Sequence, residues 1–138
     1  GSRLPVSGKV LLTVAEEDKE MFLPVARRLG KMGLMLLCTT GTGDFLAKNG
    51  VKSTHINKIY EGNPNIADAI KNNDIQLIIN TPMGRGALHD DSYIRMMAIQ
   101  RKIPYVTSLA AAEATVEGID AARRGLSAPR SLQEYHRG

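Results

Sequence analysis

Two threonines, a glycine, a threonine and a glycine stand together at Thr39-Thr40-Gly41-Thr42-Gly43, between an apolar run and an amphipathic one. Hydroxyls and free backbone N–H groups at a helix start suit an anion. Small residues let it approach, and the helix terminus favours negative charge. The same residues also make a tight turn with Thr42 as an N-cap, and the segment alone leaves both readings open. Lys19 and Lys58 can complete an anion site, though each by itself also reads as a solvated charge. Thr13, Asn80-Thr81 and Thr107-Ser108 follow other apolar runs and add hydroxyls and an amide. The loop is not of the Walker type, since no Gly-Lys-Ser/Thr follows. It is not Gly-x-Gly-x-x-Gly either, which disfavours a dinucleotide.

Catalytic groupings are sparse. No Ser, His and Asp set is visible. Cys38 lies inside an apolar run and reads as inert core. His55 reads as structural, and His89 as a helix cap or a solvent-facing group. Glu61 and Asp68 read as exposed or capping carboxylates. Met32, Met35, Met96 and Met97 read as filler in or near the core.

The elements that must position these groups follow from periodicity. Val10–Val14, Leu34–Thr39, Ser53–Ile56, Ile75–Asn80 and Pro104–Thr107 read as strands. Continuous apolarity marks strands buried on both faces of a parallel sheet. Asp18–Leu29 carries Phe22, Val25, Ala26 and Leu29 at helical spacing, with Gly30 and Gly33 ending it. Pro24 fits only early in such a helix. A short helix spans Asp44–Lys48. Asn65 caps another that runs to about Asn72. Asp90 or Asp91 caps a helix with Ile94, Met97 and Ala98 on one face. Ser108 caps a last helix ending at Arg124-Gly125. Regular β-α alternation predicts an α/β fold, three layers around a five-stranded, mainly parallel sheet of the Rossmann/flavodoxin-like kind. In such sheets ligands bind beyond the carboxyl ends of the strands, where the groups above collect.

Composition narrows the class. The 138 residues fit one domain, with residues 1–7 expected as tag and linker, 8–125 as the domain and 126–138 as a C-terminal tail. Gly1-Ser2 reads as a cloning scar. No apolar run is long enough to cross a membrane. One cysteine excludes an intrachain disulfide, and three histidines give little material for a metal site. Net charge is +4, of which +3 lies in residues 121–138, and the chain has no Trp. A nucleic-acid partner is therefore not expected.

Several segments together resemble the C-terminal allosteric domain of the carbamoyl phosphate synthetase large subunit, which has the methylglyoxal synthase-like fold. They are Gly8–Val14, Asp18-Lys19-Glu20, Thr40-Gly41-Thr42, Asn57-Lys58, Glu61-Gly62-Asn63-Pro64-Asn65-Ile66, Ile78-Ile79-Asn80-Thr81-Pro82, Gly84-Arg85, Ile103-Pro104-Tyr105 and Ser131–His136. The resemblance implies a regulatory domain that binds nucleotide monophosphates such as UMP or IMP and is not itself catalytic. It places effector phosphate on Lys19, Thr39, Thr42 and Lys58, and ribose or base on Thr13, Asn80 and Thr81. Thr107 falls on an ornithine contact at the border with a neighbouring domain. Pro82 and Val106 depart from the family pattern, which puts one ribose or phosphate contact and ornithine activation in question. The resemblance further implies a cytoplasmic parent enzyme of pyrimidine and arginine biosynthesis. That enzyme uses ATP with Mg or Mn in its other domains and is joined by a glutaminase small subunit, with no cofactor in this domain.

Two alternatives remain. Methylglyoxal synthase, a lyase acting on dihydroxyacetone phosphate, shares the fold, but Asn63 stands where that enzyme has its catalytic Asp, and an amide takes up no proton at neutral pH. The other is an interaction domain that binds no small ligand.

Overall fold

In the computed structural model, residues 4–5, 7–81 and 88–125 are described, with 88–90 described in backbone only. Ten main elements alternate along the chain: β1 Lys9–Thr13, α1 Lys19–Lys31, β2 Met35–Cys38, α2 Thr40–Lys48, β3 Thr54–His55, α3 Ile66–Lys71, β4 Leu77–Asn80, α4 Leu88–Gln100, β5 Tyr105–Val106 and α5 Leu109–Arg123. The five strands form one sheet in the order β3-β2-β1-β4-β5, and every pairing is parallel. The expected architecture is the observed one.

Both faces of the sheet are covered, which explains the continuous apolar strands. Val10, Leu12, Leu77 and Ile79 pack with Phe22, Val25 and Leu29 of α1, Leu46 of α2 and Val116 and Ile119 of α5. Leu11 and Ile78 face the other way, against Ile66 and Ile70 of α3 and Ile94 and Met97 of α4. Each such side chain contributes roughly 1.5–3 kcal/mol on burial. Leu4, ahead of the boundary expected at residue 8, packs against the first of these layers.

Caps at α3 and α5 match the expectation. Asn65 accepts from the backbone N–H groups of Ala67 and Asp68 at 2.9 and 3.2 Å, and Asp68 accepts from Asn65 N–H in return. Ser108 Oγ accepts from Ala111 N–H at 3.2 Å. Glu61 likewise accepts from Lys58 N–H at 2.7 Å.

Five local readings are corrected. The second helix starts at Thr40 rather than Asp44, so both glycines of the threonine-glycine segment lie within it. Its N-cap is Thr39, whose carbonyl accepts the first helical bond from Gly43 N–H, so Thr42 is not the cap. The fourth helix starts at Leu88, which places Asp90 and Asp91 inside it rather than at its cap. Helix α1 runs through Gly30, and Pro24 sits well inside it; Gly33, at φ +90°, follows its end. Of the four methionines read as filler, Met32 and Met97 are buried, but Met35 and Met96 are each 47% exposed. The expectations for Pro82, Gly84-Arg85, the His89 side chain and residues 126–138 lie outside the described residues.

Candidate functional site

The strand order fixes where a site can form. From β1 the chain moves outward through β2 and β3, then returns past β1 to add β4 and β5. The crevice at such a reversal, beyond the carboxyl ends of β1 and β4, is where open parallel sheets hold ligands. Thr13 and Asn80 are register partners at those two ends.

Around them the expected residues converge. Thr13 Oγ1 donates to Asn80 Oδ1 at 2.6 Å. Thr81 N–H donates to the Thr13 carbonyl at 3.0 Å. Where β1 leaves the sheet, Val14 N–H donates to Thr42 Oγ1 at 3.2 Å and Ala15 N–H to Thr81 Oγ1 at 2.7 Å. Thr13, Thr39, Thr42, Asn80 and Thr81 are all nearly fully buried. Buried polar groups survive only when paired, and the side chains of Thr13, Thr42, Asn80 and Thr81 pair with one another, with neighbouring side chains or with the main chain.

Lys19 completes one side. It opens α1, and its side chain is only 10% exposed. Its Nζ lies 3.3 Å from where a Cβ on Gly41 would stand, so glycine makes room for the ammonium at the first turn of α2. A cation at a helix N-terminus opposes the positive end of the dipole. Here the opposition is relieved by Glu16, whose Oε1 is 2.6 Å from Lys19 Nζ. The glycines expected to make a turn instead allow this close approach.

Among the described hydrogen bonds and ion pairs, none joins the side chains of Lys58 or Thr107 to this cluster. Lys58 begins a short 3₁₀ turn after β3, with its Nζ 5.9 Å from the centre of the Tyr60 ring. Thr107 is exposed just beyond β5, at the far edge of the sheet.

Three participants carry no signal in the spacing. Asp91 Oδ1 accepts from Asn80 Nδ2 at 3.1 Å, and Tyr105 OH accepts from the same nitrogen at 2.9 Å. Asp91 Oδ2 is buried without a hydrogen-bond partner. Burial, opposed by the Asn80 contact, pushes the Tyr105 hydroxyl above its ordinary pKa. Glu16 is the third. Its place beside Lys19 follows from the tight turn at residues 16–18.

The other candidate reactive groups have local partners. Burial raises the Cys38 thiol to about 11 against an opposing Ser53 contact, which keeps it protonated at neutral pH. His55 sits exposed on β3 with Nε2 3.0 Å from Asn57 Oδ1. Asn63 Oδ1 accepts from Asn65 Nδ2 at 3.1 Å. Among the described residues no three His, Cys, Asp or Glu side chains group as metal ligands.

Fold and rim together define a doubly wound α/β domain with hydroxyls, an amide and a lysine gathered at its switch point. The MGS-like domain family matches residues 21–107, and the chain belongs to that family. It is 43% identical, over 98% of its length, to a carbamoyl phosphate synthase large chain of Mesorhizobium japonicum, and 44% identical over 96% to one of Methanoculleus marisnigri. It spans 12% and 13% of those relatives' lengths. It is also 40% identical, over all of its length, to a carbamoyl phosphate synthase large chain, C-terminal section, of Methanopyrus kandleri, covering 26% of that protein. Among solved structures, methylglyoxal synthase from Elizabethkingia anophelis shares the fold, with a TM-score of 0.66 at 15% identity over 82% of this chain and 79% of that one.

Proposed function

We propose that this chain is the allosteric regulatory domain of a carbamoyl phosphate synthase large chain and binds a nucleotide monophosphate, UMP or IMP, at the β1–β4 crevice. The observation that carries this reading is the little-exposed Lys19 ammonium against Gly41, at the start of α2 and between Thr39 and Thr42. An ammonium, two hydroxyls and helix N–H groups are the donor set a phosphate requires. Lys58, on a four-carbon stem beyond the adjacent edge strand, leaves the Tyr60 ring and closes on the phosphate from the other side. Thr13, Asn80 and Thr81 face ribose or base. Thr107 faces the neighbouring domain, where the family places ornithine.

Binding acts on catalysis elsewhere in the parent enzyme by favouring one arrangement of it, which requires different affinities for the two states. The catalytic work, with ATP and Mg or Mn, and the glutaminase small subunit belong to that cytoplasmic parent. This domain contributes no catalytic group of its own. The lyase reading is disfavoured by Asn63, whose amide stands in for the required base.

The test is calorimetry of the 138-residue chain with UMP and with IMP, on wild type, Lys19→Met and Lys58→Ala. Heat with wild type that falls at least tenfold in affinity with Lys19→Met is the expected result. Millimolar nucleotide giving no heat with wild type overturns the reading. Methylglyoxal formed from dihydroxyacetone phosphate would transfer the choice to the lyase.

A further inference from the structure

Glu16 occupies an odd place. Its side chain is 85% exposed, yet its carboxylate sits 2.6 Å from an ammonium on a side chain only 10% exposed. Its backbone is held firmly. Ala15 N–H is tied to Thr81 Oγ1, and Asp18 N–H closes the turn onto the Ala15 carbonyl at 2.9 Å. Only the side chain is free to leave. Being exposed, the carboxylate loses little by returning to water, whereas Lys19 beside the N-terminus of α2 needs an anion there.

We infer that Glu16 is a tethered stand-in for the ligand's phosphate, which must displace it from Lys19 on binding. This rests on reading the rim as an anion site. The exchange makes Glu16 a specificity-determining residue. A monocarboxylate that replaces one carboxylate with another gains nothing at Lys19. A phosphate dianion brings more charge and three acceptor oxygens, and so wins the exchange. The tethered carboxylate thereby raises the threshold for every anion and rejects weak ones.

The test titrates wild type, Glu16→Gln and Glu17→Gln with inorganic phosphate, acetate and UMP by calorimetry. Glu17 is exposed one residue away and, among the described residues, forms no ion pair, so it controls for net charge. Expected is roughly two- to five-fold tighter phosphate binding in Glu16→Gln, the range of a partly exposed ion pair, with Glu17→Gln close to wild type. Equal tightening in both variants reduces the effect to overall charge and overturns the inference. So does unchanged or weaker binding in Glu16→Gln. UMP bound equally by wild type and Glu16→Gln sinks this inference and leaves the nucleotide reading standing. Phosphate bound more tightly by Glu16→Gln with no UMP bound by any protein does the reverse.

Discussion

Thr13 must donate to Asn80, and not the reverse. Asp91 can only accept, so Asn80 turns its Nδ2 toward Asp91 Oδ1 and Tyr105 OH, which spends both amide hydrogens. Its Oδ1 is then left for the Thr13 hydroxyl at 2.6 Å. One carboxylate on α4 thus fixes the direction of a hydrogen bond between β1 and β4.

Asn80→Leu keeps the volume and orphans three partners, buried Thr13 and half-buried Asp91 and Tyr105. It is expected to lower stability by about 2–4 kcal/mol in urea unfolding, more than Thr13→Val alone. The double variant is expected to cost less than the sum, by at least about 0.5 kcal/mol, because the two share one bond. Additive costs would mean the bond is not formed. Asn80→Asp sets a second carboxyl beside Asp91, which raises the folded-state pKa of the new group. Its stability is therefore full below the unfolded carboxyl range and is lost as pH rises through the folded value. A variant more stable at pH 7 than at pH 4, relative to wild type, contradicts this.

Gly41→Ala separates binding from folding. Alanine suits a helix better than glycine by up to about 1 kcal/mol. Its Cβ would stand 3.3 Å from Lys19 Nζ, so the ammonium must yield by a few tenths of an ångström. Thermal unfolding is expected to be unchanged or raised, while phosphate affinity falls several-fold. Lost stability with affinity intact would show that Lys19 does not rest there.

Thr42 and Thr81 each accept a main-chain N–H from the end of β1. Replacing either by Val leaves a buried donor unpaired, at a cost of about 1–3 kcal/mol, whereas Ser keeps the acceptor. Denaturation midpoints for the Val and Ser pairs should therefore diverge. Equal midpoints refute the bonds.

Cys38 resists alkylation in the folded chain at pH 8, because its thiol is held at about 11. The unfolded thiol, near 9.0, releases its proton first as pH rises. Stability from this group is thus full below pH 9 and declines between 9 and 11, by an amount on the order of 2–3 kcal/mol. Rapid iodoacetamide labelling at pH 8 without unfolding would disprove the shift.

The fold was legible because β1, β2 and β4 are short, nearly continuous apolar runs, and the segments between strands carry helical spacing. The α3 cap was legible because Asn65 and Asp68 lie three apart in the chain, where local geometry decides. The start of α2 was not. Gly41 and Gly43 read as breakers, and only tertiary packing explains a helix through them, since Lys19 needs the space that a side chain on Gly41 would take. Thr13, Asn80 and Thr81 were found by their place at strand ends. Asp91 and Tyr105 were not, because the Asn80 contacts join residues 11 and 25 apart with no period to announce them.

The strand order also sets a sequence of events. Strand β1 is made first, yet its partner β4 lies far along the chain, and the Thr13–Asn80 bond spans 67 residues. The Val14–Thr42 bond spans only 28. The lysine-and-hydroxyl half of the crevice is thus encoded within the first two β-α units. The Asn80 half waits for a crossover from the opposite edge, a long loop closure that slows folding. A nascent chain ending after α2 already holds the residues for half of the crevice.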